Sequence, residues 1–513
     1  MKKGIIKTFS FMFSAMFLAK ILGLIRNVVF ANFYGTGMDA TAFLTASRIP
    51  LQLLDITLGA AISSTFIPVF NELMQKEGKE RAIAFVNNFL NVIMIISATL
   101  SVLGVIFAKP IVGIIAPELE LATMELTVTL SQILFPVMLF TAVAYVFVGF
   151  LQSMDEFNIP AIISVVSNGI LILYLLIFND KFGVKGAAVA MLVGWGTQIL
   201  VQLPSALKKG FKYSFKVNFK DEGLKKVVKL ALPILISSWV QPINNIVNLR
   251  LASGLENGDA VAAIEYAYTL YLIVVGVFSY TLSNIIFPQL SKLNADNKRE
   301  EFREIINKAV KITMFFIVPM SVGIGILSNG IIEIIYQRGE FTAHSTMLTG
   351  SALSLYAIGM IGYGLMEILN KAFYAMQDAK TPMYISGIAI VLNIILSIIF
   401  VKYIGYIGLP LAASITSIIT SVIMLWRINS RFTKVVDKTT IKEFGKVILM
   451  AGIMGIIVFY LYNWIENLIL AMVVSIMFGL IVYFSLAIIL KTEMASEAKK
   501  ILSKNKWQIG DVR

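Results

Sequence analysis

Long apolar segments alternate with short polar segments along the whole chain. The apolar segments reach the roughly 20 residues that an α-helix needs to cross a hydrocarbon core of about 30 Å. Because lipid offers no hydrogen bonds, each segment must satisfy its own backbone groups and is therefore predicted to be a helix. We predict an all-α polytopic membrane protein with about 14 transmembrane helices, over residues 9–34, 40–73, 86–115, 121–153, 158–178, 185–207, 229–253, 260–290, 305–335, 345–376, 383–402, 406–428, 444–463 and 467–490.

Composition agrees with this pattern. Apolar residues make up 58% of the 513 residues, charged residues only 14%, and the mean hydropathy is +0.83. A soluble chain carries about 25% charged residues. The N-terminus has Lys2, Lys3 and Lys7 before an apolar stretch that contains Lys20 and Arg26. That stretch is longer than the apolar region of a cleaved signal peptide, so we interpret it as a retained first helix.

The positions of Lys and Arg predict the orientation. With the N-terminus in the cytosol, most of the 43 Lys and Arg residues fall in predicted inside segments. By the positive-inside rule, both termini of this multi-pass protein are predicted to be cytoplasmic. The same basic loops account for the net charge of +13, so we expect contact with membrane lipids and no nucleic-acid partner. The predicted outside segments carry only Lys109, Lys181, Lys185, Arg338 and Lys402.

Metal and enzyme chemistry have little support in the sequence. The chain has no cysteine and one histidine, His344, so thiolate and multi-histidine metal sites are excluded. A membrane glycosyltransferase or polymerase would carry acidic catalytic residues in a sizeable outer loop, and the predicted outer loops are short. We therefore expect no enzyme activity, no cofactor and no metal.

A weak internal repeat divides the predicted helices into two halves. Phe66-Ile67-Pro68 recurs as Ile286-Phe287-Pro288, Asn87 recurs as Asn307, and Gly183 recurs as Gly405. A repeat of six helices predicts two parallel six-helix lobes around a central cavity, with two extra C-terminal helices. The predicted domains are an N-lobe over 1–210, a basic cytoplasmic linker over 211–228, a C-lobe over 229–430, and the last two helices with a cytoplasmic tail over 431–513.

Several ionisable residues lie inside predicted helices, where a charge needs a partner or a watery cavity. Most are basic: Lys20 and Arg26 in the first helix, Arg48 in the second and Arg250 in the seventh. Arg binds phosphate oxygens through paired hydrogen bonds, so this group predicts an anionic, phosphate-bearing ligand. For Arg48 an ion pair with Asp55 on the same helical face is an open alternative. Further candidates for the cavity or for ion coupling are Asp39, Asp55, Asn244, Asn245 and Glu265.

Two long and unusual motifs stand out in the sequence, YQRGEFTA at 336–343 and AFYAMQDAKTP at 372–382. They resemble the MurJ (MviN) family of lipid II flippases, within the superfamily of multidrug, oligosaccharidyl-lipid and polysaccharide exporters. Supporting pieces are LGLIR at 22–26, GTGM at 35–38 and FPQLS at 287–291. The resemblance covers residues 9–430. It implies a transporter that flips undecaprenyl-diphosphate-linked peptidoglycan precursor from the inner to the outer leaflet by alternating access.

The resemblance also carries over some site residues. In the family, basic residues of helices 1, 2 and 8 line the cavity; Arg26 and Arg48 match two such positions, and Lys20 stands where Arg is usual. The helix 8 motif departs from the pattern, because Tyr268-Thr269 replaces Asp-Arg. We hypothesise that Arg250 supplies the missing cation.

The driving force and the rival functions stay open at this point. Sodium coupling, suggested for some relatives, uses acids on helix 11; here Asn393 and Ser397 are the sodium-site candidates. A monovalent cation or the membrane potential is the expected driving force. The nearest alternative is a flippase for another polyprenyl-diphosphate oligosaccharide, of the O-antigen or capsule type, followed by a multidrug antiporter. We expect a monomer in the bacterial cytoplasmic (inner) membrane with a lipid-linked diphosphate glycan as its substrate.

Overall fold

The computed structural model describes residues 2–61, 65–238, 240–432 and 435–496, with the backbone alone for 2–13, 16, 52–61, 232–238, 240 and 241. Within these ranges every regular element is helical. Eleven helical stretches of the described chain are long and apolar enough to cross a membrane, and one of them, Lys380–Arg431, contains two predicted helices. The all-α polytopic membrane fold is confirmed.

The helices follow one another along the described chain with short connections. In chain order they are α1 (Lys2–Tyr34), α2 (Met38–Ala61), α3 (Ile67–Lys76), α4 (Lys79–Ile106), α5 (Ala108–Ile115), α6 (Leu121–Leu134), α7 (Val137–Ser153), α8 (Asn158–Ile177), α9 (Asn179–Lys208), α10 (Glu222–Ser238), α11 (Val240–Ala252), α12 (Asp259–Ala295), α13 (Arg299–Tyr336), α14 (Ala343–Ala375), α15 (Lys380–Ile404), α16 (Gly408–Arg431), α17 (Lys438–Trp464) and α18 (Leu468–Ile489).

Each predicted helix has a counterpart, but some are broken. The predicted helix over 86–115 is α4 followed by α5, with a break at Phe107. The predicted helix over 121–153 is α6 followed by α7, separated by Phe135 and Pro136. Proline has no amide hydrogen and its ring clashes with the preceding turn, which accounts for the second break. The described parts of predicted helices 2 and 7 are α2 with α3 and α10 with α11.

Contacts divide the chain into two compact units. Unit 1 contains Met1–Ala262 and the short segment Arg338–Thr342, and unit 2 contains Ala263–Gln337 and Ala343–Arg513. The seventh predicted helix, assigned to the C-lobe, corresponds to α10 and α11, which pack on α2, α3, α4 and α5 of unit 1. The predicted domain boundaries otherwise stay a prediction.

Unit 1 has an aromatic core beside the basic linker. Phe66 packs on Phe70, Phe85 and Phe89 with ring centroids 5.1–6.1 Å apart. The extended linker that follows α9 is held against α4 by three buried asparagines, Asn87, Asn88 and Asn91. This set of contacts is the asparagine strap.

The strap works through main-chain atoms of the linker. Asn88 Nδ2 donates to the Asn218 oxygen at 3.0 Å, and its Oδ1 accepts from the Asn218 nitrogen at 2.7 Å. Asn87 makes the same type of pair, donating to the Lys212 oxygen and accepting from the Ser214 nitrogen. The amide groups thus satisfy an extended backbone that has no strand beside it.

Unit 2 carries the appended helices α17 and α18 on α13. Tyr483 of α18 donates to the Phe315 oxygen at 2.6 Å, and buried Lys311 of α13 pairs with Glu493 at 2.6 Å. Asn307 donates to the Val435 oxygen and to Thr440 Oγ1, at 2.5 and 2.7 Å. Asn307 therefore fastens the segment after α16 just as Asn87 fastens the segment after α9.

The repeat is also visible in the backbone. Gly183 has φ 56° and ψ −154°, and Gly405 has φ 66° and ψ −149°. Both residues stand at the turn into the last helix of a six-helix repeat, in a conformation that only glycine adopts readily. The predicted correspondence between these glycines is confirmed at the level of local structure.

Candidate functional site

Arg26 lies in the stretch of α1 that is apolar enough to span the membrane, Phe17–Tyr34. Its guanidinium is held by amide oxygens on two sides. Nε and Nη2 donate to Asn27 Oδ1 at 3.2 and 2.9 Å, and Nη1 donates to Asn168 Oδ1 of α8 at 3.1 Å. These contacts orient the half-buried guanidinium through uncharged amide groups.

The orientation of Asn168 is fixed in turn. Its Nδ2 donates to the Ser164 oxygen at 2.8 Å, so its Oδ1 faces Arg26. The neighbouring Ser167 accepts from Gln198 Nε2 of α9 at 3.1 Å, and Gln198 is buried. A line of uncharged polar groups thus runs from α1 through α8 to α9 inside unit 1.

Lys20 lies six residues, about 1.7 turns, before Arg26 on the same helix. Its side chain is exposed, and it has no hydrogen-bond or ion-pair partner among the described side chains. A methyl group on Gly23, between the two cations, would lie 4.0 Å from Asn168 Nδ2. That distance is an ordinary van der Waals contact, so Gly23 lies beside α8 in the part of α1 that carries both cations.

The candidates on α2 are placed in the same unit. Arg48 is half-buried and precedes Pro50, a proline inside the helix. Asp39 is half-buried in the first turn of α2. A negative charge at that position interacts favourably with the helix dipole. The side chain of Asp55 lies outside the described residues, so the alternative pair with Arg48 stays untested.

Arg250 stands at the end of its helix. It is exposed in the last turn of α11, and its Nη1 donates to the Ile114 oxygen at 2.8 Å. That oxygen belongs to the last turn of α5, where helix carbonyls lack intrahelical partners. The structure thus gives Arg250 a capping contact, and its hypothesised part in binding the substrate stays a prediction.

The remaining candidates are divided between the units. Asn244 of α11 is buried with no hydrogen-bond partner for Oδ1 among the described residues, and Asn245 is half-buried. In unit 2, Glu265 of α12 is half-buried. Asn393 and Ser397 of α15 are buried one turn apart, and Asn393 Oδ1 has no hydrogen-bond partner in the described chain.

Sequence reasoning missed the amides that hold Arg26. Asn27 follows Arg26 directly, Asn168 lies in another predicted span, and nothing in one sequence shows that α8 packs on α1. The available signal was the cluster Ser164, Ser167 and Asn168, three polar residues close together in a predicted span.

The signature motif at 372–382 has a structural role at the start of α15. In the motif at 372–382, Asp378 accepts from the Thr381 amide and hydroxyl at 3.0 and 2.6 Å and pairs with Arg431 at 2.5 Å. Burial raises the pKa of the Asp378 carboxyl, but the Thr381 hydrogen bonds and the Arg431 charge outweigh burial, so this pKa lies below its ordinary value. The motif thereby fixes the start of α15 and the position of Arg431.

Comparisons with known proteins agree on one family. The family model described as lipid II flippase MurJ matches residues 30–482. A probable lipid II flippase MurJ of Buchnera aphidicola subsp. Schizaphis graminum is 29% identical over 418 residues, covering 81% of each chain. The lipid II flippase MurJ of Burkholderia cenocepacia is 27% identical over 449 residues, covering 85% of this chain and 87% of its own.

Comparison with solved structures agrees with this family and shows that the fold is shared more widely. A lipid II flippase MurJ in an inward closed conformation has a TM-score of 0.82 and 28% identity, covering 94% of this chain and 99% of its own. An inward-facing MATE family transporter of the MOP superfamily has a TM-score of 0.67 at 16% identity, which shows a shared fold. Since the family model spans most of its length, this chain belongs to the lipid II flippase MurJ family.

Proposed function

We propose that this chain flips lipid II, the undecaprenyl-diphosphate-linked peptidoglycan precursor, from the inner to the outer leaflet of the bacterial cytoplasmic membrane by alternating access. Membership of the MurJ family supports the substrate. The observation that carries the mechanism is the pair of cations on the membrane-spanning part of α1. Lys20 is exposed there without a partner among the described side chains, and Arg26 is oriented by Asn27 and Asn168.

The chemistry of a diphosphate explains why cations are needed. Moving an unpaired anion into an apolar environment costs many kcal/mol, so a diphosphate must meet positive charge inside the membrane. Arg26 offers a planar guanidinium with a fixed orientation, and Lys20 offers a mobile ammonium. Arg48 and Arg250 complete the proposed binding set. The polyprenyl tail stays in lipid while the sugar-diphosphate headgroup crosses.

The membrane potential is the proposed driving force. An inside-negative potential favours outward movement of an anionic headgroup. A monovalent cation at Asn393 and Ser397 is the second candidate, supported by the buried Asn393 Oδ1 that lacks a hydrogen-bond partner in the described chain. With both termini in the cytosol, as the charge distribution predicts, the substrate enters from the cytoplasmic side, and the chain acts as a monomer.

Complementation tests the proposal. The chain is expressed in a bacterium whose own lipid II flippase can be depleted, and growth is measured together with the lipid II that a membrane-impermeant reagent reaches in the outer leaflet. The wild type is expected to restore both. Lys20→Gln and Arg26→Gln are expected to reduce outer-leaflet lipid II by roughly tenfold, because a charge-assisted hydrogen bond contributes about 1.5–3 kcal/mol.

The matched control is Lys185→Gln, which removes an exposed cation from α9, far along the chain from the proposed set. It should leave growth unchanged at equal protein level in the membrane. A wild type that restores O-antigen or capsule export but not peptidoglycan synthesis would support the alternative flippase. Full activity of the double variant of Lys20 and Arg26 would rule out the cation mechanism.

A further inference from the structure

Unit 2 contains a cavity of about 290 Å³ where four helix ends meet. α12 ends at Ala295, α13 begins at Arg299, α14 ends at Ala375 and α16 ends at Arg431. The charge distribution predicts that all four ends lie on the cytoplasmic side. The polar side chains that line the cavity are Asn294, Asn297, Arg299 and Arg431.

Two stacked aromatic rings form part of the apolar wall of this cavity. Phe302 is 1% exposed and stacks on Phe432 with ring centroids 5.1 Å apart and planes 14° apart. Both rings line the cavity. A pocket lined by aromatic rings and by arginine and asparagine side chains suits a ligand with an apolar part and a charged head.

Only one nitrogen of the Arg431 guanidinium, Nη2, is held by partners among the described residues. Its Nη2 binds Asp378 at 2.5 Å and Thr381 at 3.3 Å, and its guanidinium lies 5.7 Å from the Phe373 ring centroid. Its Nε and Nη1 have no acceptor among the described residues. The Asp378 motif therefore anchors this arginine and leaves donors available for an anion.

Arg299 differs from the neighbouring cations because they form ion pairs and, among the described residues, it does not. The neighbouring cations are paired, Lys298 with Glu301 at 2.9 Å and Arg303 with Glu300 at 3.1 Å. Arg299 has no ion-pair partner in the described part of the chain. Two guanidinium groups, one anchored and one unpaired, thus line one cavity.

We propose that this cavity binds a phosphate group through Arg299 and Arg431. Guanidinium groups recognise phosphate oxygens through paired hydrogen bonds, and basic pockets between helices at the cytoplasmic face take anionic lipid headgroups. The phosphate comes from an anionic phospholipid of the inner leaflet or from a soluble phosphate. The site belongs to unit 2, whereas the cations of α1 belong to unit 1, and it does not depend on the proposed transport of lipid II.

Binding of three probes to the full-length protein in neutral detergent tests the proposal. They are dihexanoyl phosphatidylglycerol, dihexanoyl phosphatidylcholine and inorganic phosphate, each titrated with calorimetric detection. The wild type is expected to bind phosphatidylglycerol or inorganic phosphate saturably and to prefer either to phosphatidylcholine. Phosphatidylglycerol binding identifies a lipid headgroup as the source, and phosphate binding alone identifies a soluble one.

The variants are Arg299→Gln, Arg299→Lys and the control Arg427→Gln, which removes an exposed cation one turn before Arg431 that does not line the cavity. Arg299→Gln is expected to weaken binding of the preferred probe by about tenfold or more, and Arg299→Lys by less. Arg299 has no ion-pair partner to lose among the described residues, so folding should be kept, as checked by size-exclusion chromatography. Equal losses in Arg299→Gln and Arg427→Gln, or no saturable binding of any probe, would overturn the proposal.

Discussion

The amide nitrogen of Glu340 donates a 2.9 Å hydrogen bond to the main-chain oxygen of Asn32, near the end of α1. Glu340 belongs to the signature motif at 336–343, and its segment Arg338–Thr342 groups with unit 1 although it connects α13 and α14 of unit 2. Gly339, the residue before, has φ 56° and no room for a side chain. The motif thus forms a backbone-to-backbone contact with α1, and this contact depends on Gly339.

Gly339→Ala should destabilise the protein. A methyl group there would lie 2.2 Å from the Asn32 oxygen, and the left-handed conformation adds strain, together about 1–3 kcal/mol. The measurement is the thermal unfolding midpoint of the purified protein. The control Gly387→Ala places a methyl group in open space within α15 and should be neutral or slightly stabilising. Equal midpoints for both variants would contradict the close approach.

Asn88→Ala should loosen the linker that follows α9. The substitution removes two hydrogen bonds to Asn218 and leaves backbone groups without partners, at a cost of about 1–3 kcal/mol. Trypsin cleavage at Lys216 and Lys220 measures the effect, because the segment must leave α4 to enter a protease. Cleavage should be faster than in the wild type. Asn463→Ala, at an exposed position of α17, should not change it, and an unchanged rate in Asn88→Ala would count against the strap.

Asp437→Ala should lower stability in a pH-dependent way. Asp437 caps α17, and hydrogen bonds from the Thr440 amide and hydroxyl hold its pKa below the ordinary value. A lowered pKa means that the stabilisation is present above the unfolded pKa of about 3.9 and is lost as the pH falls through the folded pKa. The free energy of unfolding of the wild type should therefore exceed that of the variant by about 1 kcal/mol at neutral pH and by less below about pH 4.

Asn467→Ala provides the control for this pH effect. Asn467 caps α18 by accepting from the Leu470 amide at 3.0 Å, and its side chain does not titrate. Unfolding midpoints measured from pH 7 to pH 3 should show a constant difference for Asn467→Ala and a shrinking one for Asp437→Ala. Parallel profiles for the two variants would exclude a role for the Asp437 charge.

Flipping should respond to the membrane potential. An inside-negative potential favours outward movement of negative charge by about 2.3 kcal/mol per charge per 100 mV. In vesicles that hold the protein and fluorescent lipid II, a potassium gradient with valinomycin sets the potential. The outward rate should rise when the inside is negative and fall when the potential is collapsed. Equal rates in both conditions would favour ion coupling instead.

The sequence predicts the helices well and their pairing poorly. Apolar length identifies α8 and α1 as spans because lipid demands it, but a helix that is apolar on most faces does not reveal its neighbour. The polar cluster of Ser164, Ser167 and Asn168 was visible in the sequence, but its contact with Arg26 could not be predicted from it. Gly183 and Gly405 were predictable as equivalents because a backbone constraint leaves a fixed residue at a fixed offset.

The helix breaks had a signal in the sequence, whereas the docked segment had none. Pro136 marks the break between α6 and α7, and Pro110 marks the break between α4 and α5, because it has no amide hydrogen for the oxygen of Ile106, the last residue of α4. The grouping of Arg338–Thr342 with unit 1 is a tertiary effect that local propensity does not encode. The end of α11 at Ala252 lies one residue from the predicted end at 253, whereas the contact of Arg250 with the Ile114 oxygen is a tertiary effect that the pattern does not show.

The asparagine strap has a consequence for how this family member can change. Asn87, Asn88 and Asn91 bind main-chain atoms of residues 212–218. Among the described contacts of that stretch with these asparagines, only Tyr213 contributes a side chain, through its hydroxyl to Asn91. Substitutions at the lysines of that stretch therefore leave its anchorage intact. Evolution is free to retune the charge of this connector toward a different lipid composition while its path over α4 is preserved.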